Sequence, residues 1–273
     1  MAKIKDNPSK ETKGTTMVLD MDKMMVPFSI LIAGLMIALA VLFGLRGGIT
    51  KGDDNTGSDT NTDTNTNTDT TTGDGTATIS IDDDPYLGDK KKAKVAIVEF
   101  SDYECPYCQR HFTDTYPSLV KDYVDSGKAI LVFRDYPLSF HDPMATNSAL
   151  AAQCVFDLGG NEKYFEYHDL LFKNTKANGE GFSDTDAGDK AKLEEYAKTV
   201  GVDVNKFKSC YSSKKFAAEI TKDLSDGTSA GISGTPGFII GELDKDGNVK
   251  DGQILAGAYP YADFKAILDK LVK

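Results

Sequence analysis

The chain has 273 residues, a hydrophobic content of 40% and a formal net charge of −11 at pH 7. This length allows one large or two modest domains, and the hydrophobic content is sufficient for a globular core. The negative charge argues against nucleic-acid binding, because phosphates are held mainly by lysine and arginine side chains.

The first element along the chain is an uncharged apolar segment, residues 25–45 (MVPFSILIAGLMIALAVLFGL). A helix of about 20 such residues is long enough to cross a bilayer core of roughly 30 Å. A cleaved secretory signal is the alternative, but its apolar core has only about 7–15 residues, followed by a small-residue cleavage site. Here the Ala38-x-Ala40 pattern lies inside the apolar run. The segment therefore predicts an uncleaved membrane anchor.

Basic residues flank this segment unevenly, with five lysines before it and only Arg46 and Lys51 closely after it. By the positive-inside rule, residues 1–24 form a cytoplasmic tail and the chain after residue 45 lies outside the cytoplasm, where disulfides persist. Residues 46–78 are rich in Thr, Asp, Asn and Gly and predict a flexible linker. The expected location is the cell membrane, with a single span and an extracytoplasmic domain.

The folded domain is predicted over residues 79–273 as a β-α-β unit, a helical block and a β-β-α unit. Residues 94–100 and 129–138 are apolar runs typical of buried strands. Residues 108–127 have helical spacing, with Pro117 as a kink or break. Strand, helix and strand with short joints favour a parallel pair. After the helical block, the sequence predicts an antiparallel hairpin at 237–258 and an amphipathic helix at 261–273.

The helical block contains segments with helical spacing, at residues 142–159, 162–174, 189–201 and 205–231. The first begins with Asp142 as a candidate N-cap and Pro143 in the first helical position. The acidic stretches DTDAGD and DKDGN offer oxygen ligands but lack the full calcium-loop pattern, so we interpret them as turns.

The chemically distinctive motif is Cys105-Pro106-Tyr107-Cys108, between the first buried strand and a helix. At a helix N-terminus, unpaired N–H groups and the positive end of the macrodipole favour thiolate, the nucleophilic form of cysteine. Pro106 suits the first turn, where no N–H donor is needed. Cys108 lies one turn along, so we expect an exposed attacking thiol at Cys105 and a more buried resolving thiol at Cys108.

Two metal-binding alternatives have little support. A zinc site needs two more Cys or His ligands, usually as a second closely spaced pair, but Cys154, Cys210 and the three histidines are scattered. A copper chaperone could use a membrane-tethered cysteine pair, but no Met-rich or His-rich tract accompanies this one. We therefore expect no metal.

A second motif, Thr235-Pro236, stands directly before a predicted strand, and by itself indicates an ordinary trans-proline turn. The stretches EFSDYECPYC, FRDYPLSFHDPMA, KYFEYHDLLF and GTPGFII together resemble the DsbA-like thiol-disulfide oxidoreductases of the thioredoxin superfamily. The resemblance covers nearly all of the chain after about residue 82. It implies an α/β thioredoxin fold with a helical insertion domain at about residues 141–231.

The resemblance also implies roles for particular residues. It implies a cis peptide before Pro236, packed against the cysteines, and a substrate-binding surface formed by Thr235, Pro236, Pro106 and Tyr107. An acid at the position of Glu99 lies under the active site in this family and helps move protons to and from the resolving thiol. An exposed glutamate at a strand end is the alternative interpretation of Glu99.

Cys154 and Cys210 match positions that often pair in the membrane-anchored branch of the family. A structural disulfide is therefore expected, with two free buried thiols as the alternative. His111, one turn beyond the second cysteine of the motif, either tunes the thiolate pKa or is solvated. His141 and His168 are expected to pack or to cap.

The predicted function is that of a membrane-tethered thiol oxidase that introduces disulfides into exported proteins through Cys105 and Cys108. The resemblance implies no soluble cofactor and reoxidation by a membrane partner similar to DsbB or to a vitamin K epoxide reductase (VKOR-like). A monomer is expected, because no dimerisation segment is visible. The alternatives are a reductase or isomerase of the same fold, and a non-catalytic binding module with a static cysteine pair.

Overall fold

The computed structural model of the protein describes residues 75–273. The predicted cytoplasmic tail, the predicted anchor at residues 25–45 and most of the predicted linker lie outside the described residues, so these remain predictions. Within residues 75–273, no helix is both long enough and apolar enough to cross a membrane.

One six-stranded sheet organises the described chain. Its strands are β1 (Thr76–Ser80), β2 (Tyr86–Leu87), β3 (Val95–Ser101), β4 (Ala129–Asp135), β5 (Gly237–Glu242) and β6 (Asn248–Ala256). They lie in the order β1-β6-β5-β3-β4-β2. β3 runs parallel to β4 and antiparallel to β5, and β5 pairs with β6 as a hairpin. The predicted parallel pair and the predicted hairpin are both present.

The sequence does not predict the two edge strands. β1 starts at Thr76, so the last three residues of the predicted linker, 76–78, belong to the sheet. Its one fully buried side chain is Ile79, which is paired with Val249. β2 has only two residues, both half-buried. β2 is too short to show a pattern, whereas β1 does alternate polar and apolar residues, a signal that the neighbouring Thr-rich segment obscures.

The helices are α1 (Pro106–Asp114), α2 (Tyr116–Leu119), α3 (Met144–Asn174), α4 (Asp186–Thr199), α5 (Val204–Ser212), α6 (Ala217–Ser229) and α7 (Tyr261–Leu271). A π-helical turn (Val120–Val124) follows α2, and a 3-10 turn (Ser139–His141) precedes α3. The predicted break near Pro117 is found at Thr115, between α1 and α2, and Pro117 lies in the first turn of α2.

One predicted helix assignment is wrong and one helix boundary is confirmed. The segment predicted as one helix at 205–231 is divided into α5 and α6, and between them Lys214 has a left-handed φ of 52° that interrupts a helix. The first two segments of the helical block do meet at Gly160, as predicted: the backbone is non-helical there, with φ of 69° and ψ of −167°, so α3 consists of two helices joined at a kink. Pro143 precedes the first helical residue, and the Asp142 carboxylate accepts a hydrogen bond from a first-turn N–H.

β3 is buried along its whole length, and its side chains alternate between the two faces of the sheet. Val95 and Ile97 pack in an apolar cluster with Phe264 of α7. Val98 belongs to the cluster on the opposite face. Glu99 continues the alternation of Val95 and Ile97, so its carboxyl group points into the apolar layer between the sheet and α7.

Candidate active site

β3 and α1 place the two cysteines of the motif at the end of the sheet. Cys105 is the N-cap residue of α1 and Pro106 opens the helix. Within the described range both thiols are free of disulfides. Sγ of Cys105 lies 3.5 Å from the carbonyl oxygen of Thr235. The expectation of an exposed Cys105 is wrong, because this loop lies against its sulfur: the residue is 3% exposed, and Cys108 is fully buried.

The two thiols differ sharply in acidity. A hydrogen bond from Cys108, together with the side-chain hydroxyl of Thr235 and the backbone N–H groups of Tyr107 and Cys108, lowers the pKa of Cys105 to about 6, against the opposing effect of burial. Burial raises the pKa of Cys108 well above its usual range. At neutral pH the first cysteine is therefore mainly thiolate and the second mainly thiol. This is the division that dithiol exchange needs between a nucleophile and a resolving group.

The residues predicted to bind substrate surround this thiolate. Pro106 and Tyr107 are exposed, and Tyr107 is one of the two large hydrophobic residues of the described chain that stand out into solvent, at 57%. The Thr235–Pro236 peptide bond is cis, as the resemblance implied. Thr235 approaches Cys105 through its carbonyl oxygen. The site thus combines a reactive sulfur, an exposed aromatic ring and a backbone loop.

Glu99 lies beneath the motif, with a side chain that is 3% exposed, so the alternative of an exposed strand end is wrong. Burial raises the pKa of Glu99 to about 7, and the side chain of Ser101 opposes this rise. Ser101 also lowers the pKa of Cys108. The side chain of Ser101 therefore lies near both the carboxyl group and the resolving thiol, although its hydroxyl oxygen is buried without a hydrogen-bond partner among the described residues.

Replacing Glu99 with Gln should change the pH dependence of stability. The folded pKa of about 7 exceeds the ordinary value of 4.5, so between these pH values the unfolded chain releases a proton that the folded chain keeps. Stability contributed by this group is therefore lost as pH rises through the window. We expect the free energy of unfolding of E99Q to exceed that of the native chain by on the order of 3 kcal/mol at about pH 8. At about pH 4 the two free energies of unfolding should be nearly equal.

Urea unfolding at the two pH values measures this difference. Glu242→Gln is the matched control, because Glu242 is an exposed glutamate at the end of β5. The control should show the same free energy of unfolding as the native chain at both pH values. A stability difference between E99Q and the native chain that does not vary with pH would contradict the expectation.

The three histidines are all buried in the structure. For His111 this overturns the solvated alternative: its side chain is 1% exposed, with Nε2 3.7 Å from Oε2 of Glu99. His168 packs against aromatic rings that include Phe133 and Phe172, in line with a packing role. His141 is held by a carboxylate of the motif loop.

Two acidic residues that the sequence analysis does not single out tie this loop to the helical insert. Oδ2 of Asp102 lies 2.7 Å from Nδ1 of His141. Glu104 accepts hydrogen bonds from Oγ1 of Thr175 at 2.8 Å and from the N–H of Gly181 at 3.0 Å. The sequence signal that could have identified these two residues is their position: both are charged and directly follow a buried strand. Their partners lie 39 to 77 residues away in sequence, which no local pattern indicates.

Cys154 of α3 and Cys210 of α5 form a disulfide across a sequence separation of 56 residues. The alternative of two free thiols is wrong. Because each sulfur is already bonded to the other, neither is available to complete a four-ligand zinc site with the motif cysteines.

A separate acidic cluster lies at the opposite face of the sheet. One carboxylate oxygen from each of Asp84, Glu219 and Asp223 lies within 4.8 Å of the others. The fully buried guanidinium of Arg134 forms ion pairs with Asp84 and Asp223. The positive charge that these buried carboxylates need is therefore supplied by an arginine side chain of the protein itself.

Comparisons with known proteins identify the family of the chain. A family model described as thioredoxin matches residues 80–270. Disulfide bond formation protein D of Bacillus subtilis is 26% identical over 195 residues, which cover 71% of this chain and 79% of that protein. The Na(+)/H(+) antiporter NhaA 3 of Salinispora tropica is 29% identical over 150 residues, 55% of this chain. The match spans only 20% of the antiporter's length.

The fold agrees as well. The crystal structure of oxidised BdbD from Bacillus subtilis superposes with a TM-score of 0.61 at 22% identity, covering 72% of this chain and 97% of that one. The family model spans most of the chain, and the cysteine motif, the cis-proline loop and the buried acid are all in place. The chain therefore belongs to the thioredoxin family, as a DsbA-like protein-disulfide oxidoreductase.

Proposed function

We propose that the chain is a thiol oxidase, tethered to the cell membrane by residues 25–45, that introduces disulfides into exported proteins. The observation that carries this proposal is the stabilised thiolate of Cys105, whose pKa is lowered to about 6. A disulfide whose reduced form is stabilised is a stronger oxidant, because its reduction releases more free energy. The acidity of Cys105 thus supports the oxidase direction over reduction.

The exchange proceeds in two displacements. A substrate thiolate attacks Sγ of Cys105 in the Cys105–Cys108 disulfide, and Cys108 leaves with the electron pair of the broken bond. Glu99, which with a pKa of about 7 is partly protonated near neutral pH, supplies the proton that converts this leaving group to a thiol. A second substrate thiolate then attacks the substrate sulfur of the mixed disulfide and releases Cys105 as thiolate. Two electrons pass from the substrate to the cysteine pair.

The surroundings of the sulfur suit an extended, unfolded substrate segment. Pro106 and Tyr107 offer exposed apolar surface beside the thiolate, and the loop at Thr235 and Pro236 offers backbone groups for pairing. Backbone pairing does not depend on the substrate's side chains, so many exported proteins would be accepted. A DsbB-like or VKOR-like membrane partner would reoxidise the cysteine pair without a soluble cofactor, and the chain would act as a monomer.

Equilibration of the purified chain with glutathione buffers tests the direction. We expect a reduction potential above the value of about −270 mV of thioredoxin, on the side of the value of about −120 mV of a strong oxidant. The Cys105→Ser variant should show no two-electron transition and serves as the blank. A potential near about −270 mV would overturn the oxidase assignment.

A further inference from the structure

His111 and Glu99 form an isolated polar pair inside an apolar layer. Nε2 of His111 and Oε2 of Glu99 are 3.7 Å apart, and both side chains are at most 3% exposed. The imidazole ring packs against the aromatic rings of Phe238 and Phe264, with centroid distances of 4.7 and 5.3 Å. β5 and α7 thus hold the ring in position against the carboxyl group from two sides.

The facing polar atoms of this pair have no hydrogen bonds to other groups of the described chain. Within residues 75–273, Oε2 of Glu99 and both ring nitrogens of His111 have no hydrogen-bond partner. An unsatisfied buried donor or acceptor costs about 1–3 kcal/mol, and an apolar residue at this position would avoid that cost. A buried histidine without a structural hydrogen bond therefore calls for an explanation other than packing.

The residue His111 also borders an open cavity, although its ring nitrogens are buried. A cavity of about 390 Å³ is lined by His111 together with residues of α1 and of the loop between β6 and α7. Two hydrogen bonds across its rim connect these elements: Arg110 donates to the carbonyl oxygen of Ala258, and Thr115 donates to that of Tyr259. The volume admits water. His111 thus lies between this cavity and the buried carboxyl group.

We propose that His111 is a positioning residue that links Glu99 to solvent and lets its carboxyl group exchange protons during each disulfide exchange. The inference rests on the proposed function only for the proton transfer between Glu99 and Cys108. Neutral imidazole suits this task because one nitrogen donates while the other accepts. It can therefore hydrogen-bond either the ionised or the protonated carboxyl group.

The proton balance needs no charged intermediate on the ring. When Cys108 leaves as thiolate, it takes a proton from Glu99. The resulting carboxylate takes the proton on Nε2 of His111, while Nδ1, which is itself buried, takes one from a water molecule that enters from the cavity, so the ring changes tautomer. Reoxidation of the cysteines releases a proton along the same route in reverse and restores the first tautomer. This path agrees with the burial that lowers the pKa of His111 to about 3 and disfavours imidazolium.

The test is a double-mutant cycle on the full-length chain in its disulfide form. Reduction by dithiothreitol is followed by the ultraviolet absorbance of the Cys105 thiolate. We expect His111→Phe to slow reduction roughly tenfold in the native background and less than about twofold in the Glu99→Gln background, because the path needs both groups. His111→Gln keeps a polar side chain but cannot shift a proton between two nitrogens, so the same pattern is expected from it.

His168→Phe is the matched control, since His168 is also buried among aromatic rings and should leave the rate unchanged. Equal slowing in both Glu99 backgrounds, or no slowing at all, would overturn the role of His111 while leaving the oxidase proposal intact. If the native chain itself does not react with dithiothreitol, the proposed function fails and the inference with it.

Discussion

Replacing Cys108 with Ala should convert the chain into a trap for its substrates. The Cys105 thiolate of this variant can attack disulfides of exported proteins, but the thiol of Cys108, which is buried in contact with that sulfur and would expel the substrate from the mixed disulfide, is missing. Without it, adducts between Cys105 and exported proteins should persist, and the catalytic turnover of dithiol oxidation should fall by at least roughly 10³-fold. Non-reducing electrophoresis of cell extracts detects the adducts.

The Cys105→Ser variant provides the contrast. It retains the buried resolving thiol but lacks the acidic nucleophile, so it should form no adducts and show the same loss of turnover. A static binding module would behave differently, because both variants would keep its function. If Cys108→Ala forms no adducts in cells that express it at the native level, dithiol exchange is not what the chain does.

Removal of the second cysteine pair should have the largest effect on stability. The Cys154–Cys210 bridge closes a separation of 56 residues between α3 and α5. In the chain-entropy model a loop of this size restricts the unfolded chain by about 4 kcal/mol. The Cys154→Ala, Cys210→Ala double variant should lose that much free energy of unfolding, as measured by urea titration.

Ser209→Ala is the matched control, because Ser209 is an exposed neighbour of Cys210 and its replacement should cost less than about 0.5 kcal/mol. The double variant should still show the low pKa of Cys105, since the bridge does not contact that sulfur. A loss of stability no larger than that of the control would mean that the bridge does not restrict the unfolded chain.

The parts of the fold with a strong local signal were predictable. β3, the motif at the start of α1, β4 and the closing hairpin all carry apolar runs, turn residues or helix-start residues within one short window. Elements whose definition depends on distant partners were not. β1 has one fully buried residue and is a strand because β6 pairs with it. The boundary between α5 and α6 depends on the backbone conformation of Lys214, a residue type that does not usually mark a break.

The same distinction applies to the site. Cys105 and Cys108 identify themselves by spacing, and Thr235, Pro236 and Glu99 by resemblance to a family. Asp102, Glu104 and the contact of His111 with Glu99 are products of the tertiary fold. Helical periodicity does place His111 on the same side of α1 as Cys108. Only the tertiary structure shows that this side of α1 contacts Glu99 on β3.

The carboxylates of Asp102 and Glu104 make the position of the loop that carries Cys105 dependent on the helical insert. They fasten the loop that carries Cys105 to the 3-10 turn and to the segment after α3. The bridge at Cys154 fastens α3 to α5 farther along the same insert. The position of that loop therefore depends on the packing of the insert, whereas the groups that lower the pKa of Cys105 lie outside the insert. Under the proposed function, a chain that makes disulfides in other proteins would rely on a disulfide of its own to hold that loop in place.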